Sequence, residues 1–179
     1  AGKVIDKTKV PASPKSGEKV IPDSVAYIIS DILKDNNARV LEFGSNSELN
    51  FGNSPVSVKT GTTNDFKDNW TIGYTPTSLV AVWVGNNDNT PMSGLVSGIT
   101  GAAPIFHDIM RRLLLTRPAE SLLKPNNVEQ RTICKDTGAF PTPDNPCPTK
   151  IELFIKGVTS KISSVVKKNV WVVKDTQEE

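Results

Sequence analysis

Lys59, Thr60 and Gly61 follow one another at the end of a predicted strand, and residues of these types can do chemistry together. Lysine carries a positive charge, and threonine has a hydroxyl that donates and accepts hydrogen bonds. Glycine leaves a strand edge bare, so that a peptide can lie beside it as an added strand. The ordinary alternative is a solvated, edge-protecting lysine followed by a strand-forming threonine. Such a triplet occurs by chance in roughly a few per cent of chains of this length. The surrounding sequence is therefore needed to choose between the chemical and the ordinary interpretation.

Two cysteines, Cys134 and Cys147, flank a proline-rich loop. Their spacing allows a disulfide or two independent thiols, because pairing needs a geometry that spacing does not give. No structural zinc site is expected. The only histidine, His107, lies far away in sequence, and two cysteines do not complete a tetrahedral set of ligands.

Helices are predicted on both sides of the triplet. From Asp23, apolar residues recur at helical spacing, and Asn36 and Asn37 mark the end of this helix. After a glycine-rich loop, Pro104 opens a second helix whose apolar residues again keep helical spacing.

Three strands are predicted between these helices, over PVSVKTGT, WTIGYT and LVAVWVG. Short connections rich in turn-forming residues join antiparallel neighbours, so the strands should form a meander. The last strand is nearly all apolar, which predicts a central strand buried on both faces. Trp70, Tyr74 and Trp83 are expected to be core aromatics.

The composition divides the chain into three parts. Residues 1–22 are a polar connecting segment, residues 23–116 contain the predicted helices and strands, and residues 117–179 form a proline-punctuated appendage. The predicted fold is α/β, an antiparallel sheet with packed helices, followed by a small β-rich tail.

The charge and hydropathy of the chain argue against nucleic-acid binding and against a membrane span. The chain has 21 basic and 19 acidic residues, mixed along its length, so the net charge is only +2 and no nucleic-acid footprint is expected. No stretch approaches the ~18 consecutive apolar residues of a membrane span.

The triplet lies within the stretch VKTGTTNDFKDNWTIGYTPTSLVAVWVGNNDNTPM, which closely resembles a segment of class A penicillin-binding proteins, the bifunctional enzymes that polymerise and crosslink peptidoglycan. SVAYIISDILKDNNAR and FGSNSELNF resemble the helix and loop before that family's KTG strand, and GITGAAPIFHDIM resembles its closing helix. The resemblance covers about residues 20–115. The tail, with its cysteines and ELFIKG, is similar to appendages of some members, more loosely.

The resemblance implies that this chain is the C-terminal part of a transpeptidase domain of the penicillin-binding-protein and serine β-lactamase fold. The parent protein would bind a D-Ala-D-Ala stem peptide, form an acyl-serine enzyme, release D-Ala and transfer the acyl group to an amine. β-Lactams would acylate the same serine. No cofactor or metal is implied. The parent would work outside the cytoplasmic membrane, anchored through a missing N-terminal part, and the rest of its domain would be a partner of this chain.

The same resemblance assigns roles to residues. Lys59, Thr60, Gly61 and Thr62 correspond to the catalytic strand end, where the Thr62 N–H is an oxyanion donor. Lys59, Thr60, Thr62 and Thr63 are expected to bind the substrate, the lysine and the hydroxyls meeting its terminal carboxylate. An exported enzyme works in an oxidising compartment, which favours a disulfide between Cys134 and Cys147.

The nucleophile motifs that accompany KTG are incomplete in this chain. S-x-x-K occurs at Ser16, Ser121 and Ser164, about as often as chance allows, and no S-x-N triplet occurs. The family order puts the nucleophile far upstream of KTG, so the chain is expected to begin after it and to be inactive alone. Two alternatives stay open, a D,D-carboxypeptidase or β-lactamase-like fragment and a non-catalytic wall-binding module.

Overall fold

The computed structural model describes residues 19–92, 98–143 and 146–158. The chain forms two compact units, Ala1–Lys124 and Pro125–Glu179. The predicted boundary between the main domain and the appendage, at residue 117, stays a prediction. Most of the connecting segment 1–22 and the VWVV run near the C-terminus lie outside the described residues.

Two helices precede the sheet of the first unit. α1 spans Asp23–Lys34, and α2 spans Asn36–Phe43. α1 begins and ends close to the predicted residues, whereas α2 is not predicted. The carboxylate of Asp35 explains the break, because it accepts the N–H groups of Asn37 at 2.9 Å and Ala38 at 3.3 Å and so caps α2. The polar residues that end one helix therefore also start the next.

The three predicted strands are confirmed as an antiparallel meander. β1 spans Ser57–Thr62, β2 spans Asp68–Tyr74 and β3 spans Leu79–Gly85, in the order β1-β2-β3. The prediction that β3 is central was wrong for the described residues, in which β2 is central and β3 pairs on one side only. An apolar run reports that both faces of a strand are apolar, but it does not report whether the strand's second edge is paired.

The two faces of this sheet differ in what covers them. Alternate residues of each strand point to opposite faces, and cross-strand partners share a face. We term one side the packed face and the other, of which α1 covers the end at Ser57 and Tyr74, the open face. The packed face carries Val58, Thr60, Thr62, Asn69, Thr71, Gly73, Val80, Val82 and Val84, and the open face carries Ser57, Lys59, Gly61, Trp70, Ile72, Tyr74, Leu79, Ala81 and Trp83.

Helix α3, Ala102–Thr116, lies against the packed face. It begins at Ala102 rather than at the predicted Pro104. Phe106 and Met110 are fully buried there and contribute the largest side chains of the core. The fit is close, because a Cβ atom at Gly73 would come within 2.5 Å of the Phe106 ring. The other buried apolar residues of this core are Leu49, Val56, Val58, Val80, Val82, Ala102 and Ala103.

The open face leaves large apolar side chains in contact with solvent. Trp70 is 40% exposed and Trp83 is 41% exposed, so the prediction that both are core aromatics was wrong. Their strand positions give the reason, since α3 packs on the opposite face. Tyr74 is half-buried beside α1, where its hydroxyl lies 2.7 Å from the Ser30 hydroxyl.

The second unit contains an antiparallel hairpin. β4 spans Val128–Cys134, and β5 spans Thr149–Ile155, which includes the apolar run IELFI. Cys134 and Cys147 form a disulfide with their Cα atoms 5.6 Å apart. The predicted fold class, helices packed on an antiparallel sheet plus a small β-rich tail, is thus confirmed. No helix in the described ranges is long and apolar enough to cross a bilayer.

Candidate functional site

The KTGT segment forms the second half of β1. Its side chains alternate, so that Lys59 and Gly61 lie on the open face while Thr60 and Thr62 lie on the packed face. Lys59, Gly61 and Thr62 are exposed, and Thr60 is half-buried. The strand therefore offers its lysine and its hydroxyls from opposite faces, and its outer edge is where the two sets can meet one ligand.

The backbone of β1 directs alternate N–H groups to that outer edge. The Thr63 N–H donates to the Asp68 carbonyl at 3.0 Å, so the N–H of Thr63 points toward β2. In an antiparallel ladder the groups of successive residues point in opposite directions. The N–H groups of Thr60 and Thr62 therefore point away from β2, and no strand in the described part of the chain pairs with that edge. The Thr62 N–H thus points to the outer edge of β1, away from β2.

A cavity of about 260 Å³ lies along this part of β1. Val58, Lys59 and Thr60 line one side of it, and residues of α1, α2 and the following loop line the rest, namely Ile32, Leu33, Asp35, Ala38, Arg39, Phe43 and Leu49. The Lys59 Nζ donates to the Thr60 carbonyl, which keeps the charge at the strand edge. The cavity lining is mostly apolar, and its charged residues are Lys59, Arg39 and Asp35.

Arg39 is the second basic residue of the cavity wall, and its contacts are internal. Its guanidinium donates to the carbonyl oxygens of Leu33 and Leu49, which joins the end of α1 to the loop before β1. Burial lowers the pKa of Arg39, and the neighbouring carboxylate of Asp35 opposes this shift. We therefore interpret Arg39 as a residue that stabilises the cavity wall rather than one that binds the ligand.

Thr62 is held from the packed face by the turn that precedes α3. The Gly98 N–H donates to the Thr62 Oγ1 at 3.0 Å, and the Gly98 carbonyl accepts from the Thr71 Oγ1 at 3.2 Å. A Cβ atom at position 98 would lie 3.1 Å from the Thr60 side chain and 3.2 Å from the Gly61 carbonyl. This close approach favours glycine at position 98. The Thr62 hydroxyl keeps its own hydrogen for donation, since the contact with Gly98 uses only an acceptor lone pair.

Thr63 makes its hydrogen bonds within the protein. Its hydroxyl donates to the Asp68 Oδ2 at 3.0 Å and accepts from the Asp68 N–H at 2.9 Å. The other carboxylate oxygen of Asp68 accepts from the Trp83 Nε1–H at 2.8 Å. Sequence reasoning missed both Asp68 and Gly98. Hairpin register could have placed Asp68 opposite Thr63, whereas no sequence signal indicates the contact made by Gly98.

Gly61 lies where a side chain has room. A Cβ atom there would meet nothing closer than the Trp70 Cβ at 3.8 Å, an ordinary van der Waals distance. Packing within this chain therefore does not require glycine at position 61. What glycine provides at this position is an unobstructed strand edge.

The other candidates from the sequence are the S-x-x-K serines and the two cysteines. Of the S-x-x-K serines, Ser121 lies outside any helix or strand, and Ser16 and Ser164 lie outside the described residues. Within the described ranges no group of three or more His, Cys, Asp or Glu side chains is arranged to hold a metal ion. Cys134 and Cys147 are joined to each other in the second unit.

The chain is similar to several proteins named penicillin-binding protein 1A. It is 36% identical to the one from Clostridium botulinum over 142 residues, 78% of this chain and 17% of the relative. It is 33% identical to the one from Clostridium tetani over 164 residues, 87% of this chain and 20% of the relative. It is 30% identical to the one from Pseudomonas aeruginosa over 147 residues, 82% of this chain and 17% of the relative.

Among solved structures, the crystal structure of penicillin-binding protein 1A from Haemophilus influenzae covers 57% of this chain with 29% identity and a TM-score of 0.49, and the match spans 15% of that protein. No protein-family model matches the chain. The chain thus spans between 17% and 20% of the length of the three curated relatives described above.

Proposed function

We propose, from the premise that this chain belongs to the class A penicillin-binding protein family, that it supplies the KTG strand of a peptidoglycan D,D-transpeptidase site. The parent protein binds the D-Ala-D-Ala end of a stem peptide, and a serine that this chain does not supply attacks the carbonyl of the penultimate D-Ala. The bond to the terminal D-Ala breaks, and the amine of a neighbouring stem peptide then displaces the serine. β-Lactams acylate the same serine.

The outward direction of the Thr62 N–H is the observation that carries this proposal. Attack on a carbonyl creates a negative oxygen, and a preorganised N–H donor stabilises it most where the donor already points at its position. Along the same edge, Lys59 meets the terminal carboxylate of the peptide, and Thr60 and Thr62 add hydroxyl donors. Gly61 lets the peptide backbone approach β1 as an added strand. The site needs no cofactor in this scheme.

This function also sets the proposed partners and location. The ligands are stem peptides and β-lactams, and the remaining part of the transpeptidase domain carries the nucleophile. The protein acts outside the cytoplasmic membrane, where peptidoglycan is crosslinked. A disulfide between Cys134 and Cys147 fits an oxidising compartment.

Lys59→Ala in the full-length parent tests the site. We expect acylation by a fluorescent penicillin to slow by about 100-fold, because a charge that meets an anionic substrate is lost. The free energy of unfolding should change by less than ~0.5 kcal/mol, since an exposed lysine contributes little to folding. Lys150→Ala is the matched control, because Lys150 is also an exposed strand lysine but lies in β5. Wild-type acylation by Lys59→Ala would show that the site is assigned wrongly.

Two further measurements distinguish this function from the alternatives. Product analysis with a stem peptide and an acceptor amine should find the crosslinked amide, whereas a carboxypeptidase or β-lactamase-like enzyme would transfer the acyl group to water. The isolated 179-residue chain should not form an adduct with the penicillin. A stoichiometric adduct on that chain would mean that it carries its own nucleophile.

A further inference from the structure

At the end of the β1-β2 ladder, one of the two usual backbone hydrogen bonds is replaced by a side-chain hydrogen bond. Thr63 and Asp68 face each other at this point, and the Thr63 N–H donates to the Asp68 carbonyl. The return bond does not go to the Thr63 carbonyl, because that oxygen accepts from the Phe66 N–H at 3.2 Å instead. The Asp68 N–H donates to the Thr63 hydroxyl at 2.9 Å. The threonine side chain therefore completes the ladder in place of its own carbonyl.

The Asp68 carboxylate connects all three strands at this end. One oxygen accepts from the Thr63 hydroxyl beyond β1, and the other accepts from the indole N–H of Trp83 on β3. Hydrogen bonds to a charged acceptor are stronger than neutral ones. Asp68 is half-buried as a residue, whereas the hydrogen bonds of its carboxylate are exposed and therefore screened by water.

This network acts on the residue that carries the proposed oxyanion donor. Thr62 and Thr63 share a peptide bond, so fixing the Thr63 N–H and hydroxyl also fixes the path of the chain leaving Thr62. Gly98 holds the Thr62 side chain from the packed face. Thr62 is thus restrained through its side chain and through the residue that follows it, while its N–H points to the outer edge.

We infer that Asp68 is a positioning residue of the transpeptidase site, which holds Thr63 so that the Thr62 N–H points at the developing oxyanion; this rests on the proposed function. Thr63 then acts through its bond to Asp68 in place of the substrate contact that the resemblance implies. A hydroxyl has one hydrogen, and the Thr63 hydroxyl already gives it to Asp68. Binding a substrate carboxylate would require that bond to break.

Variants of both residues in the full-length parent test the inference by penicillin acylation, with the acylation rate constant and the dissociation constant measured separately. Thr63→Val and Asp68→Ala should each lower the rate constant by about tenfold, less than the loss of a donor itself, and leave the dissociation constant within about twofold. Thr63→Ser keeps the hydroxyl and should keep the wild-type rate. The double variant should be no slower than the slower single variant, because both changes remove one interaction.

Other outcomes overturn the inference. If Thr63→Val raises the dissociation constant and spares the rate constant, Thr63 binds the substrate. If the two single effects multiply in the double variant, the residues act independently, and if neither slows acylation, the network has no role in the site. Lys59→Ala distinguishes failure of this inference from failure of the proposed function. If Lys59→Ala is acylated at the wild-type rate, the proposed transpeptidase site is itself wrong. If Lys59→Ala is slowed while the Thr63 and Asp68 variants are not, the site stands and the inference about Asp68 is wrong. Should Asp68→Ala fail to fold, the comparison of Thr63→Val with Thr63→Ser decides alone, since Thr63 is exposed.

Discussion

The three-stranded sheet and the two-stranded hairpin of this chain are both antiparallel, but different forces stabilise them. The sheet is covered by α3, and its cluster of buried apolar residues includes Phe106 and Met110. The hairpin has a much smaller set of buried apolar residues, Val128, Ile133, Cys134 and Ala139, and one of these is half of the disulfide. Strand pairing alone therefore contributes little to stability, since a hairpin without a helix or further strands is marginal in water.

Reduction of the disulfide should give the largest effect, the unfolding of the second unit with the first intact. Removing a native disulfide from a small domain costs about 2–5 kcal/mol, and besides Cys134 itself the unit has only Val128, Ile133 and Ala139 as buried apolar residues among those the structure describes. Hydrogen exchange followed by mass spectrometry should show β4 and β5 losing protection in reductant while β1, β2 and β3 keep it. The chain has two cysteines, so the reductant has no target in the first unit.

The variant Cys134→Ser with Cys147→Ser controls for the reductant and should behave in the same way without it. Thiol labelling of the oxidised, unfolded chain should find neither cysteine free. If β4 and β5 stay protected after reduction, noncovalent packing suffices for the hairpin, and the contrast between the two sheets disappears.

Gly73→Ala disturbs the packing of α3 against the sheet and should give the next largest loss of stability. The new methyl group would lie 2.5 Å from the Phe106 ring and 3.0 Å from the Ser57 carbonyl, and the backbone oxygen cannot move aside as a flexible side chain can. Overpacking of this kind typically costs about 1–3 kcal/mol. Denaturant unfolding measures the loss. Phe106→Leu in the same chain should recover part of it, because the smaller side chain gives the methyl room, whereas a strictly additive loss would mean that the ring contact is not its source.

Periodicity predicted α1, α3 and the three strands of the first unit, because the spacing of apolar residues reports which positions share a face, but it did not predict α2 or β4. It could not say which face a helix covers. In β2, the apolar residues Trp70 and Ile72 are the exposed ones, while Asn69 and Thr71 are buried against the turn and helix that follow. Thr71 finds a partner in the Gly98 carbonyl, whereas the Asn69 amide has no hydrogen-bond partner in the described part of the chain. Such pairings are set by residues distant in sequence.

The candidate site was predicted only in part, for the same reason. The KTGT residues could be named because they form a contiguous motif with a known resemblance. Asp68 and Gly98 reach that motif through hydrogen bonds that depend on the folded structure, and although both lie in the family-like stretches, the resemblance assigns neither of them a role. The sequence placed the end of the first helix at Asn36 and Asn37 and gave Asp35 no role, because its function as the cap of α2 depends on the direction in which the chain continues.

Gly61→Ala should give the smallest effect on stability, and it sharpens the comparison within one sheet. Gly61 and Gly73 both lie in paired strands, but a Cβ atom at position 61 would have only the Trp70 Cβ at 3.8 Å as its nearest contact. Alanine also restricts the unfolded chain more than glycine does, which offsets any small loss. The free energy of unfolding should therefore stay within ~0.5 kcal/mol of wild type. In the full-length parent the same methyl group would stand beside the edge on which the peptide lies, so penicillin acylation should fall although the fold is unchanged. A loss of stability comparable to that of Gly73→Ala would mean that the open face is packed after all, and an unchanged acylation rate would mean that the peptide does not lie along this edge.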